Sequence, residues 1–394
     1  MRPPPSLPFR GRWRGEAVTE EVIPALFKET GISATLKSGL SGSFIPNPLS
    51  AYPIADRGFH MERSAFLKPL AALLLVALLL ARPQAAAAGA LAAMARWYEA
   101  VAPSVFPFLA LLPLLTCGAA IRAYAALLGR GTEALFNLPG PAASAMVVGM
   151  AAGTPAGAIA ARRVAARSGM NRGQLQRLAL ASMGFSPAFL VGGVGAGLLG
   201  SAQLGWRLAL AQVLTQLSLA LLLRRAWGNR TEPVPAADPA REEAPVRGAV
   251  LAALTICGYM ALFGALGAAA RSLIGGAADA LLCALDAPTG AALVAALPLG
   301  PAEKLAALAA ICGFGGVCAI LQGLGALRGC GLRVGECFAL RMLAGLLCAG
   351  WATLLGRLGT IAPPVVRANP LAAAGLCASA LAIPVLLKTA KSNS

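Results

Sequence analysis

The fold turns on one stretch: Ala142-Ala143-Ser144-Ala145-Met146-Val147-Val148-Gly149-Met150-Ala151-Ala152-Gly153-Thr154-Pro155-Ala156-Gly157-Ala158-Ile159-Ala160. It is uncharged throughout and close to the ~20 residues that a membrane-spanning helix needs. Its middle, Gly153-Thr154-Pro155-Ala156-Gly157, cannot continue a helix. Glycine costs about 1 kcal/mol and proline about 3 kcal/mol relative to alanine in a helix interior. The segment therefore either crosses as a kinked span or dips in and turns back.

Arginine placement separates the two readings. Full crossing would put Arg162, Arg163, Arg167, Arg172 and Arg177 on the opposite side from Arg122 and Arg130. A segment that turns back leaves both clusters on one side. The N-terminal basic residues, the Arg224–Arg247 loop, Arg328, Arg333, Lys388 and Lys391 then join them, with Arg82, Arg96, Arg271 and Arg367 opposite. Cytoplasmic loops carry the excess of Lys and Arg, so the turn-back reading is preferred, with both termini cytoplasmic.

The rest of the chain supports a membrane setting. Of 394 residues, 58% are hydrophobic and 12% charged, against about 25% charged in a soluble domain. The mean hydropathy is +0.71. Apolar stretches at 66–81, 103–121, 178–200, 204–223, 248–270, 306–327, 338–358 and 371–387 give eight candidate spans. A second broken stretch, 289–301, contains Pro298-Leu299-Gly300-Pro301. The fold class is thus all-α: a polytopic membrane protein of about eight transmembrane helices plus two re-entrant broken segments. Each broken segment is followed by two spans and enters from the opposite side, which suggests an inverted repeat of about 142–223 and 289–358. Secondary transporters use that architecture, with a site near the midplane.

Residues 1–60 differ in character, being Pro-rich and basic at the start. They read either as a disordered cytoplasmic extension or as sequence not normally made, with Met61 as the natural initiator. Residues 61–394 form the integral membrane domain. The net charge of +17 belongs to membrane-flanking loops and does not imply nucleic acid. The partners expected are the lipid bilayer and a small polar solute.

Composition also narrows the chemistry. The one histidine is His60 and no CxxC pair occurs among nine cysteines. A His-based triad or His-rich metal site is excluded, so no metal, cofactor or catalytic residue is expected. Asp279, Asp286, Glu303 and Lys304 flank the second break and are read as surface groups, although a charge at membrane depth would be functional by default. That leaves the uncharged polar groups Thr154, Ser182, Ser186, Gln212, Thr215, Gln216, Ser218 and Gln322. They can hold a solute without charge desolvation, or simply tie helices together at about 0.6 kcal/mol each.

Several runs resemble the YlbJ-type sporulation integral membrane proteins, a group with Gate-domain, or nucleoside-recognition, character. They are Trp97 with Val101-Ala102-Pro103-Ser104-Val105-Phe106-Pro107-Phe108, then Phe136-Asn137-Leu138-Pro139-Gly140, then Gly149 with Gly153-Thr154-Pro155-Ala156-Gly157-Ala158. Ser186-Pro187-Ala188-Phe189-Leu190 and Phe314-Gly315-Gly316-Val317-Cys318-Ala319-Ile320-Leu321-Gln322 continue the likeness. The resemblance implies a re-entrant element at Gly153–Gly157, a role in spore cortex formation and small-molecule transport. Three positions depart from it. Thr154 stands where the group has tyrosine, Ala295–Gly300 where it has an acidic element, and Gln212 where it has histidine. The candidate solute-binding set is Gly153, Thr154, Pro155 and Gly157 on the first segment, Ser186 and Pro187 between, and Gly315, Gly316 and Gln322 on the second repeat. The reading is of a transporter-like or gating protein of the inner (cytoplasmic) membrane, not an enzyme; the other reading is a scaffold for spore envelope assembly.

Overall fold

The computed structural model describes residues 63–234 and 245–358. The expectations for residues 1–60, for Met61 as initiator and for a span at 371–387 lie outside the described residues. The chain divides between Phe66 and Leu67, and the larger unit begins at Leu67, within the first helix.

The described residues are helical, without a strand among them. They begin with α1 (Arg63–Ala81), α2 (Pro83–Arg96), a wide π turn at Trp97–Val101, α3 (Ala102–Leu115) and α4 (Gly118–Phe136). The broken segment comes next as α5 (Ala142–Ala152) and α6 (Ala156–Arg167), then α7 (Arg172–Ser182), a second π-type helix at Phe189–Leu198 and α8 (Ala202–Leu222). The remainder is α9 (Pro245–Ile274), α10 (Ala278–Leu285), α11 (Ala287–Ala296), α12 (Pro301–Phe314), α13 (Gly316–Ala326) and α14 (Val334–Arg357).

Five stretches are long and apolar enough to cross a membrane: Pro83–Leu115, Ala202–Leu222, Val246–Leu285, Pro301–Ala326 and Val334–Arg357. Their outer faces are apolar as well as their inner ones. Leu114, Leu222 and Leu346 are 65%, 60% and 70% exposed, the pattern expected where lipid replaces water.

Two expected boundaries change. Residues 83–101 are helical and run into α3, because the π turn absorbs the irregularity without breaking the chain's hydrogen bonding. The stretch 178–200 is not one span. It breaks after Ser182 and restarts at Pro187, with the wide turns from Phe189 onward, since a proline lacks the N–H that a continuous helix would need but fits a helix start.

The segment 142–160 turns back on itself. α5 carries Ala, Ser and Gly on its inner side and packs directly against α6. A Cβ on Gly157 would lie 2.9 Å from the Gly149 Cα and 2.0 Å from the Ser182 oxygen. Only residues lacking a side chain allow three backbones to meet so closely. Both ends of the hairpin lie at one end of the bundle. Before it, Asn137 Nδ2 donates to the Arg224 carbonyl at 3.1 Å; after it, Arg177 donates to the same carbonyl. Arg167 likewise donates to the Thr116 carbonyl at 2.6 Å and Arg162 to the Ala326 carbonyl at 3.1 Å. These arginines sit at the carbonyl ends of α3, α8 and α13, where cations are favoured.

Candidate functional site

Four interruptions of apolar helices converge on one cavity. They are Gly153-Thr154-Pro155 between α5 and α6, Met183–Pro187 after α7, Asp286 between α10 and α11, and Gly315-Gly316 between α12 and α13. The cavity wall includes Thr154, Phe185, Ser186, Asp286, Gly315, Cys318 and Gln322, closed by Ser104 and Val105 of α3 and by Ile256 and Met260 of α9. Backbone that leaves the helical ladder at membrane depth is tolerated only when buried in protein or lining such a space.

The interruptions pair up. Gly153 has φ +71° and its missing Cβ would stand 2.7 Å from the Gly184 oxygen and 2.8 Å from the Ser186 nitrogen. The Thr154 amide donates to the Gly184 carbonyl at 2.7 Å. In the other pair Gly316, φ +77°, laps the chain at Leu285–Ala287, with the Asp286 nitrogen 3.2 Å from its missing Cβ. Each pair thus consists of one left-handed glycine lying against an extended break. The Thr154–Pro155 peptide is cis.

Ser186 serves its own helix: its hydroxyl accepts from the Phe189 amide at 3.2 Å, a cap that gives one of the unpaired N–H donors of a helix start its acceptor. Asp286 does the same for α11, accepting from the Thr289 amide at 3.1 Å and the Thr289 hydroxyl at 2.6 Å through Oδ2. Its other oxygen, Oδ1, is buried without a hydrogen-bond partner among the described residues. Arg96 Nη2 donates to the Thr289 hydroxyl oxygen at 3.0 Å. Gln322 donates to the Cys318 sulfur at 3.1 Å.

One arginine holds both pairs. Arg341 of α14 is 2% exposed. It donates to the Met183 carbonyl at 2.6 Å, to the Phe314 carbonyl at 3.0 Å and to the Gly313 carbonyl. Its guanidinium therefore sits on the carbonyl ends of α7 and α12, where helix dipoles place negative charge. No carboxylate pairs with it among the described residues.

Of the residues expected to form a site, Thr154, Ser186, Gly315 and Gln322 share the cavity wall. Gly153 and Gly316 shape it from behind, and Gly157 serves the hairpin's packing instead. Pro155 and Pro187 stand at the first turns of α6 and of the helix Phe189–Leu198, outside the cavity wall. Gln212 and Gln216 do not line the cavity; their amides press on Gly184, 2.8 Å from its missing Cβ. Thr215 and Ser218 bond within α8, and Ser218 also accepts from Trp351 at 3.0 Å. Those two act as ties between or within helices.

Two expectations are corrected. Asp286, read as a surface group, is 3% exposed and in the cavity wall. The Pro298–Pro301 break is exposed; Glu303 accepts from the Gly300 amide there at 3.3 Å, and Lys304 donates to the Ala295 carbonyl at 2.9 Å. The second half meets the cavity at Asp286 and Gly315-Gly316 instead. Arg341 and Asp286 had signals in the sequence. An arginine inside the apolar stretch 338–358 is a functional candidate by default, and Asp-x-Pro-Thr ahead of a small-residue run is a helix-start pattern.

Neither a family model nor a solved structure matches the chain. Among curated proteins, the sporulation integral membrane protein YlbJ of Bacillus subtilis (strain 168) is 32% identical over 160 residues. That match takes in 41% of this chain and 39% of YlbJ. Together with the apolar helices it shows an integral membrane protein whose sequence, over about two fifths of its length, is similar to sporulation protein YlbJ.

Proposed function

We propose that this protein is a multi-pass protein of the cytoplasmic membrane that binds and moves a small polar solute during spore formation. The observation that carries the reading is the convergence of four helix interruptions on one internal cavity. Interrupted helices at the midplane are how many secondary transporters build a solute site between repeats. On this reading the hairpin α5–α6 is re-entrant, and the two pairs of interruptions belong to an inverted repeat. The second repeat then starts near Ala278, ahead of the Pro298–Pro301 loop. Alternating access rocks one half against the other, with Arg341 at the joint. The cluster of Arg162, Arg167 and Arg177 marks the cytoplasmic end. Thr154, Ser186 and Gln322 contact the solute; the protein performs no covalent chemistry.

Uptake by purified protein in liposomes, over nucleosides and cell-wall precursors, tests this. A solute that is taken up and raises the unfolding temperature supports it, with both effects weakened at least tenfold by Thr154→Val or Gln322→Leu. No uptake and no thermal shift with any candidate overturns it.

One observation favours a second reading, a scaffold for envelope assembly. The cavity measures about 30 Å³, room for a water molecule or a few atoms and too little for a nucleoside in this conformation. A scaffold predicts that Thr154→Val, Ser186→Ala and Gln322→Leu leave the spore phenotype intact.

A further inference from the structure

The carboxyl of Asp286 has chemistry that a solute site does not require. Oδ2 is saturated by the Thr289 amide and hydroxyl. Oδ1 is buried, makes no hydrogen bond of normal geometry among the described residues beyond the weak approach of the Cys318 thiol to the carboxyl, and belongs to a side chain in the cavity wall. An ionised carboxylate with one uncompensated oxygen in such surroundings is strongly disfavoured unless a cation joins it.

The groups facing it are few. Arg96, at the end of α2, reaches it through the Thr289 hydroxyl, on the saturated side. From α13 comes the Cys318 thiol, which faces the carboxyl as a weak S–H donor while its sulfur accepts from Gln322. On α10, Cys283 is directed to the Gly290 carbonyl at 3.9 Å, and Asp279 pairs with Arg271 at 3.1 Å. Arg96 acts on the carboxyl from the Oδ2 side, through the Thr289 hydroxyl, and the thiol is an uncharged, weak donor, so no cation lies directly against Oδ1. The space is also too small and its walls too apolar to give a metal ion the six or so oxygen ligands that hard cations take.

We propose that Asp286 is a proton-binding site, and that Oδ1 takes up and releases one proton as the protein changes conformation. The step is an acid–base exchange: a proton leaves hydronium or water in the cavity and forms one O–H bond at Oδ1, and reversal returns it. No electrons are transferred, and Oδ2 keeps both bonds from Thr289. The exchange changes the charge by one at the place where Gly316 laps the Asp286 backbone. It thereby biases how the second pair of interruptions packs. Coupling of this proton to a solute rests on the transport function proposed for the cavity; the binding of the proton does not.

Infrared difference spectra between acidic and alkaline pH, on the full chain in lipid nanodiscs, test the site without any solute. The expected result is a protonated-carboxyl C=O band that shifts on ¹³C-aspartate labelling, disappears in Asp286→Asn and persists in Asp279→Asn. Thr289→Val, which removes the hydroxyl bond to Oδ2, is expected to move the band and keeps the test alive if Asp286→Asn fails to fold. Absence of an aspartate-dependent band across the stable pH range overturns the proposal. So does stabilisation by sodium over choline that Asp286→Asn abolishes, which would make the ligand a metal cation. A band without solute uptake sinks the transport reading and leaves the proton site standing; uptake without the band does the reverse.

Discussion

The two pairs of interruptions share a construction and differ in charge. In the first, Gly153 lies against Gly184–Ser186; in the second, Gly316 lies against Leu285–Ala287. Both depend on a left-handed residue and on contact too close for a Cβ. The first pair presents hydroxyls, Thr154 and Ser186, and the second presents a carboxyl, Asp286. Backbone geometry of this kind can be repeated wherever small residues allow it, because it needs only shape. A charged group cannot be repeated so freely, since each one buried carries a desolvation cost that some partner must offset. The two pairs therefore differ in charge: the first is neutral, and the carboxyl of the cavity wall belongs to the second.

The comparison breaks most completely if the arginine common to both pairs is removed. Arg341→Met would orphan three buried carbonyls at the ends of α7 and α12. Each buried unpaired group costs about 1–3 kcal/mol. The variant is expected to lose most of its folded population in detergent, as read by size-exclusion yield and unfolding temperature. Arg341→Lys, which keeps the charge but not the planar fork of donors, should recover only part of it.

Next in size are the glycines. Gly153→Ala and Gly316→Ala each combine a positive φ with a Cβ within 3 Å of backbone, so each is expected to cost about 1–3 kcal/mol. Near-equal losses in denaturant unfolding would support equivalence of the two pairs, and a neutral result at either would break it. Gly157→Ala, which puts a Cβ 2.0 Å from the Ser182 oxygen, falls in the same range and reads the hairpin alone. A smaller effect is expected at the bundle's end, where Arg230 meets Glu336 at 2.7 Å with both side chains about a quarter exposed. Glu336→Gln, which removes the charge and leaves the bond from Arg230 to Gln176 in place, should cost about 0.2–1 kcal/mol, less in high salt. The smallest is Gly300→Ala in the exposed loop. Its Cβ would come no closer than 3.6 Å to Glu303, and a change within about 0.5 kcal/mol is expected.

The contrast between Gly300 and Gly153 shows why a glycine–proline pattern is ambiguous by itself. Pro298-Leu299-Gly300-Pro301 and Gly153-Thr154-Pro155 both stop helices by the same local rule. One stop is exposed and capped by its own Glu303, and the other is folded into the bundle against Gly184. The burial of Asp286 escapes a sequence reading because it depends on α9, α13 and the chain near Arg96, all distant in sequence. The break at Met183–Pro187 escapes it because 178–200 has the length and apolarity of a span, and a single proline carries little weight against that.

By itself the sequence determined that this chain is helical and belongs in a membrane, since its apolar runs are continuous and of helix-spanning length, without the alternation of a barrel strand. It also favoured a turn-back at 142–160 over a kinked span, from the excess of arginine on its flanks, and it picked out Thr154, Ser186, Gly315 and Gln322. Only the tertiary structure decided that these four line one cavity, that Asp286 joins them there, and that Arg341 holds the helix ends around it. Local propensity and charge sidedness act over a few turns of helix. Which carbonyl a buried arginine reaches, and which carboxyl is left short of a partner, depends on contacts between segments more than a hundred residues apart.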